Sequence, residues 1–473
     1  MTLEPIGAVV LLVGSLCFFF GRSISIYAMI LSTLLGSSAA AFLPALNYAN
    51  IQPAHLLLVF VASSVLLQPN AFKVTVESIG FPRAGFWLLV TLLYGTLATI
   101  FMPRLFAGAT YVFNIAQSGS GGAGIVQVPL GPVSANVTQL LYFAGDVVCF
   151  LVFYTFARSG GLSTIARAMI VCAFVNIGFA VVDVAGHVTQ TELLSFLRNS
   201  GYRMLDDVEL AGFKRIVGSF TEASSFAYAA LAHFSFSLVL WIRGVYPLLS
   251  ATAAAFSLVA ILFATSTTGY FGLAAFLLII YAVYLGQLLT RRASRNACLF
   301  LVFAPLVSCV IVLLIRMEPQ ALNTVRELVD VTIFSKLDSG SGIERASWNA
   351  QAVQALRDTA GLGAGIGSVR ASSWVIAVLS SIGIFGAAVY GLFVACIFLG
   401  HYFRRRDLAA DKIQSAARAA CLVQIIASSV AGSFIDLGLL FFALAGAACA
   451  VPYEAAPTLA APHTGLLIPR EAT

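Results

Sequence analysis

The chain has 473 residues, of which 60% are hydrophobic and only 10% charged, with a formal net charge of +6 and a mean hydropathy of +0.96. So much apolar surface exceeds what one core can hide, which excludes a soluble globular protein and makes lipid the solvent for most of the chain. The positive balance needs no nucleic-acid partner, because surplus Lys and Arg in such a chain first report topology.

A spanning helix needs roughly 20 apolar residues, and about thirteen stretches are candidates. In chain order they are 5–20, 24–46, 53–69, 85–105, 137–157, 164–186, 222–242, 246–264, 267–289, 297–315, 373–400, 414–433 and 435–453. The first is short, and 246–264 and 435–453 are set off only by tight turns. The predicted fold class is therefore all-α, a polytopic transmembrane bundle of about 12–14 spans. The alternation of a membrane barrel is absent. Glu4 stands where a signal peptide would carry a basic leader, so no cleaved signal is expected. The eight cysteines all fall in apolar spans, without metal-ligand spacing, and read as small buried hydrophobes. The five histidines are scattered, and neither HExxH nor a P-loop occurs. No metal or cofactor is expected.

Short loops give the orientation. Arg22, Lys73 and Arg83, Arg158, Arg243, "RRASR" (291–295) and "RRRDLAADK" (404–412) follow spans one, three, five, seven, nine and eleven. The even short loops 47–52 and 265–268 carry neither Lys nor Arg. The positive-inside rule then puts the N-terminus outside and the tail 454–473 in the cytoplasm, with residues 1–473 forming one membrane domain. Segments 106–136, 187–221 and 316–372 fall on the outer face. The first is Gly- and Ser-rich ("AQSGSGGAG") and is expected to be mobile. The other two hold 20 of the 46 formal charges and should be structured. "TQTE" (189–192) suggests a capping box opening a short helix. Pro319 suits a helix start, followed by a stripe of Leu322, Val325, Val329 and Ile333. After "DSGSG", the residues Ile343, Ala346, Ala350 and Val353 suggest a second apolar stripe, leaving Arg345 off it and facing a cavity.

Four patches are candidates for chemistry. In "KRIVGSFTEASS" (214–225), Lys214 and Arg215 precede Glu222 in the first turn of a span. An anion-binding pair beside a carboxylate is one reading, since arginine offers a planar doubly donating fork. Interfacial snorkelling with helix capping is the other. In "SGSGIERASWNAQAVQALRDTAGLGAGIGSVRASS", Glu344, Arg345, Arg357 and Arg370 fall on the outer face. Trp348 either stacks on a sugar ring or joins the aromatic belt. "GLGAGIG" (361–367) follows no strand, so it is no nucleotide loop; its glycines suit a tight turn and close approach to a ligand. The hydroxyls of "ATSTTGY" (264–270) could meet a head group or simply pack helices. Asp146 mid-span, Asp183 near the outer end of a span and Asp436 at an outer turn are functional candidates by depth, Asp146 as a proton relay or as a neutral structural residue.

In this order, "RIVGSFTEASSFA" and "SGSGIERASWNAQAV…GLGAGIGSVRASSWVIAVLSSIGIFGA" resemble the bacterial O-antigen polymerase and O-antigen ligase superfamily of integral-membrane glycosyltransferases. The likeness is best over 211–272 and 334–392. It lies in an Arg-x-x-Gly-x-Phe segment entering a helix and a GxGxGS turn before a helix with GIxG. The resemblance implies transfer of glycans carried on undecaprenyl pyrophosphate, outside the bacterial inner membrane and without nucleotide sugars. It implies Arg215 as a pyrophosphate ligand. Ligases place a histidine where Ser372 or Ser373 stands here, which favours a polymerase. Members carry an arginine in the Ser-rich hairpin; "STTG" has none, so Arg345 or Arg370 would substitute.

The site expected is thus Arg215, Arg345, Arg370 and Lys214 on the pyrophosphate, Glu222 and Glu344 orienting arginines or deprotonating the acceptor, and Trp348, Arg203 and Arg357 on the glycan. The implied partners are the lipid-linked oligosaccharide, membrane lipid, a chain-length regulator and export proteins. A ligase or a secondary transporter of the same lipid-linked substrate is the alternative, although repeated halves and short outer loops are lacking.

Overall fold

The computed structural model describes residues 2–46, 48–117, 123–200, 204–205, 209–210, 213–335, 339–399 and 409–450. Arg203, the loop 404–408 and the tail 454–473 lie outside the described residues, as do 118–122 of the Gly- and Ser-rich stretch.

The first part of the chain forms helices α1 (Pro5–Phe20), α2 (Arg22–Ser32), α3 (Pro53–Leu66), α4 (Ala71–Ser78) and α5 (Ala84–Leu105). Proline opens α1 and α3, where its missing N–H is no loss and its fixed φ suits the first turn. The span expected at 24–46 is helical only to Ser32. Beyond it the chain enters a small antiparallel sheet of β1 (Thr2–Leu3), β2 (Ala41–Leu43) and β3 (Ala49–Ile51). This sheet marks the loop-rich face of the bundle.

Helices α6 (Ser134–Phe156) and α7 (Leu162–Thr189) are separated where Ser159 and Gly160 leave helical geometry, Gly160 at φ 90°. Tyr142, near the start of α6, donates to the Asn50 carbonyl. Asp183, near the end of α7, accepts from the Val217 and Gly218 N–H groups. Ser219 in turn bonds Leu34 and Ser37. Both ends therefore return to the loop-rich face, and the 56-residue stretch is a hairpin of two spans.

Between β4 (Tyr111–Gln117) and β5 (Ala123–Pro129) an antiparallel ladder pairs Tyr111 with Pro129 through to Gln117 with Ala123. The sequence expectation of an unstructured loop missed this hairpin, although the alternation in "YVFNI" and "GIVQV" signals strands. "TQTE" is a helix end instead of a helix start. Thr189 closes α7, and Gln190 caps it at φ 54°.

After the short strands β6 (Glu209–Leu210) and β7 (Phe213–Lys214) come α8 (Ala223–Ile242), α9 (Pro247–Phe263), α10 (Thr267–Leu289) and α11 (Arg295–Met317). The apolar window of α8 is 83% buried and that of α11 only 11%. Helix α8 is thus the bundle's centre, and α11 faces lipid at its edge. On the loop-rich face lie α12 (Pro319–Val329), opened by Pro319 as expected, and α13 (Gly340–Asp358), whose Gln351 donates to the Tyr111 carbonyl. Helices α14 (Trp374–Leu399), α15 (Ala409–Ala431) and α16 (Leu439–Cys449) complete the chain.

Among the described residues, seven helical segments, the α6–α7 hairpin counted once, are long and apolar enough to cross a membrane, or eight if α3 and α4, bent by 112°, are one span. Helices α1, α9 and α16 are shorter apolar helices. The fold is an all-α polytopic bundle.

The glycine-rich stretch behaves differently from its expectation. Gly361, Gly363, Gly365 and Gly367 all have positive φ, between 77° and 90°. A Cβ on Gly363 would stand 2.5 Å from the Gly383 nitrogen, and one on Gly367 2.4 Å from the Ala135 oxygen. Gly383 breaks α14 at φ 66°. The carbonyls this frees on Ser380 and Ser381 accept from Ala364 and Gly365 at 2.8 and 2.9 Å. The close approach is to the protein's own α6 and α14, not to a ligand. The two glycine motifs are one interlocked structure that fixes the return from α13 to α14.

Candidate functional site

The segment leading into α8 is held from behind. The buried Asp183 carboxylate accepts from Val217 and Gly218 at 2.9 and 3.0 Å and from Arg198 Nη2 at 2.7 Å. Arg198 also donates to the Gly218 carbonyl at 2.9 Å. Lys214 Nζ lies 3.4 Å from Asp183. Asp183, a functional candidate by its depth, is therefore a clamp on residues 214–218, a positioning role. On this side Asp183, His187, Gln190, Glu192, Arg198 and Lys214 line a polar hollow of about 290 Å³.

Successive side chains of an extended chain point to opposite sides. Lys214 faces Asp183, so Arg215 faces away from it. The expected Lys214–Arg215 pair on one anion is thus split, and Lys214 leaves the arginine site. Arg215 is half-buried, and its Nε has no hydrogen-bond partner among the described residues. Burial holds its pKa below the usual guanidinium range; Glu222 opposes this, Arg345 adds to it and Tyr270 opposes it. Arg345 therefore stands within electrostatic range of Arg215, although 130 positions separate them in sequence. Glu222 is the residue before α8, in extended geometry, and its carboxylate accepts from the Ser224 hydroxyl without capping the helix backbone.

Contacts from neighbouring loops assemble this corner. Ile216 donates to the Phe263 carbonyl at 3.4 Å. Thr267 Oγ1 donates to the Thr332 carbonyl at 2.8 Å, tying the start of α10 to the end of α12. In "ATSTTGY" the Thr267 and Tyr270 hydroxyls donate to backbone carbonyls, Thr265 Oγ1 is buried without a partner among the described residues, and Tyr270 bears electrostatically on Arg215.

Helix α13 begins at Ser339, whose hydroxyl accepts from Gly342 N at 3.2 Å. It buries Gly342, Trp348, Ala352 and Ala355. The predicted stripe is reversed: Ile343 is 60% exposed, and Ala346 and Ala350 are exposed with it. Arg345 points inward because it lies three residues before Trp348 on the buried face. No salt bridge or hydrogen bond occupies the Arg345 guanidinium among the described residues. Glu344 is exposed on the other side, away from the arginines.

Trp348 is buried, and the Arg370 guanidinium lies 4.9 Å from its ring centroid and 5.6 Å from that of Phe434. These are cation–π contacts. Trp348 is the floor under Arg370 and not the open sugar platform or aromatic-belt residue that the sequence suggested. Arg370 is fixed further by its own N–H, which donates to the Phe113 carbonyl at 3.1 Å. Arg357 is exposed and, at about 1.5 Å per helical residue, lies some 18 Å along α13 from Arg345, too far to share its site.

Glu222 and Arg345 thus both bear electrostatically on Arg215, and the loop residues Arg370 and Phe434 gather at Trp348, which shares α13 with Arg345. It leaves out Lys214, Glu344 and Arg357. Sequence reasoning missed Tyr270, Phe434 and the Asp183 clamp; no local motif links these to the arginines. No protein-family model matches the chain, and no curated protein matches it.

Proposed function

We propose that the protein is a polysaccharide polymerase that joins undecaprenyl-pyrophosphate-linked oligosaccharide repeat units at the outer face of a bacterial inner membrane. The loop-rich face is then periplasmic, with the N-terminus outside and the C-terminus in the cytoplasm. The observation that carries the reading is the pairing of Arg215 and Arg345, two guanidinium groups in electrostatic range of each other, with Glu222 as the carboxylate that bears on Arg215 among the described residues. Two like charges at a half-buried site cost free energy, and a bound dianion offsets it.

Polymerisation breaks the bond from the anomeric carbon to the pyrophosphate oxygen and forms one to an acceptor hydroxyl. Negative charge grows on the departing diphosphate. Arg215 and Arg345, with Arg370 beside them, stabilise that charge as fixed donors that need no reorganisation. Glu222 orients Arg215 or takes the hydroxyl proton.

The test is purified protein given a lipid-linked repeat unit in detergent. Longer glycans are expected. Unchanged glycans, with movement of the substrate across sealed vesicles instead, would make the protein a transporter.

A further inference from the structure

The chain between α15 and α16 does not turn at the surface. From Gly432 to Gly438 it runs without helix into the bundle, and its carbonyls are taken in succession. Ile435 accepts from Trp374 Nε1 at 3.0 Å and from the Tyr390 hydroxyl at 3.4 Å. Leu437 accepts from the Tyr228 hydroxyl at 2.8 Å, and Leu439 from the Cys149 thiol at 3.4 Å. Cys149 lies well inside α6. Asp436, expected at an outer turn, is therefore carried into the bundle.

There it meets Asp146 of α6. Asp146 is 0% exposed, and no donor among the described residues faces either of its oxygens. The group in hydrogen-bonding reach is the Asp436 carboxyl. Two carboxylates cannot bond each other; a carboxyl and a carboxylate can, with the proton between them. On the α3 side, both ring nitrogens of His55 are buried without a partner among the described residues, and Asp436 is the charge that bears on the ring. The His55 ring lies 4.7 Å from the Tyr142 ring, tilted by 35°, and borders a mainly apolar hollow of about 280 Å³ with Asn50, Tyr142 and Gly145 in its wall. Asp436 itself is partly exposed, whereas Asp146 is sealed. The other titratable groups bearing on the cluster are Cys149 on α6, Tyr228 on α8, Tyr390 on α14 and Cys421 on α15. Arg370 stands above, over Phe434, two residues up the segment.

We propose that Asp146 and Asp436 hold one exchangeable proton between them inside the membrane, with His55 passing it to and from the adjoining hollow. The step is a proton transfer alone: Asp436 gives the shared proton to His55, leaving two carboxylates opposite the imidazolium; the imidazolium releases the proton at the hollow, and a proton returning by the same route restores the pair. This goes beyond the polymerase reading and does not depend on it.

Infrared difference spectra of the purified full-length protein in lipid nanodiscs, acid minus alkaline, read the C=O stretch of a protonated aspartic acid. The expected result is such a band in the wild type, lost in both Asp146→Asn and Asp436→Asn. In His55→Gln the band should persist and exchange with deuterium more slowly. Should an Asn variant fail to fold, Asp436→Glu, which keeps the carboxyl, must move the band. Absence of the band in the wild type, its survival in both Asn variants, or an unmoved band in Asp436→Glu would overturn the proposal. None of these readouts uses glycan transfer, so a failed polymerase assay leaves them intact.

Discussion

Two basic clusters stand back to back on the loop-rich face, and they are built on different principles. Behind the segment into α8, Asp183 binds Arg198, Lys214 and two backbone N–H groups, so every cation there has an assigned acceptor. In front, neither the Arg215 nor the Arg345 side chain has a hydrogen bond or ion pair among the described residues, and the two like charges oppose each other. Charges satisfied within the protein hold the chain; charges left under-compensated are available to a ligand. Lys214 and Arg215 are adjacent in sequence and belong to one cluster each.

The comparison breaks first at the front cluster. Arg215→Ala and Arg345→Ala should each abolish polymer in the lipid-linked substrate assay while the protein stays in the membrane. Wild-type polymer lengths from either variant would show that the two clusters do not differ in role. Next in size is Glu222→Gln. If its carboxylate takes the acceptor proton, turnover should fall by about 10²–10⁴-fold. Diphosphate affinity, read by binding of undecaprenyl pyrophosphate, should not weaken, because a competitor for Arg215 has been removed.

The rear cluster should respond in stability instead. Asp183→Ala removes the carboxylate shared by Arg198 and Lys214, whose side chains are 14% and 10% exposed. Losing one partner of such a buried pair costs about 3–5 kcal/mol, to be read as a lower unfolding midpoint in detergent. Gly367→Ala should cost less, about 1–3 kcal/mol, from a side chain at φ 81° driven towards the Ala135 carbonyl. Smallest are Glu344→Gln and Arg357→Ala, both on exposed positions; glycan transfer should stay within about twofold of wild type.

Much of the fold was legible from hydropathy, because a backbone in lipid has few options. The all-α membrane bundle followed from it, and the Pro319 start of α12 from proline's fit to a first helical turn. What composition could not give was direction. Whether Arg345 faces in or out depends on which face of α13 the β4–β5 hairpin covers, and the Gln351–Tyr111 contact that ties the two joins residues 240 positions apart. Apolar Ile343 and Ala350 misled for the same reason, since beside a membrane an apolar side chain need not be buried in protein. "GLGAGIG" and "GIFG" read as separate motifs because nothing local says that Gly363 packs on Gly383. Asp436 looked superficial because an extended descent into the bundle has no sequence pattern of its own.

The most direct measurement is a double-mutant cycle on undecaprenyl pyrophosphate affinity, comparing wild type, Arg215→Ala, Arg345→Ala and the double variant. If both guanidinium groups clasp one diphosphate, the losses are coupled: each single change removes most of the affinity, and the double differs from the sum by more than about 1 kcal/mol. Losses that add within about 0.3–0.5 kcal/mol, or affinity unchanged in either single variant, would contradict a shared site.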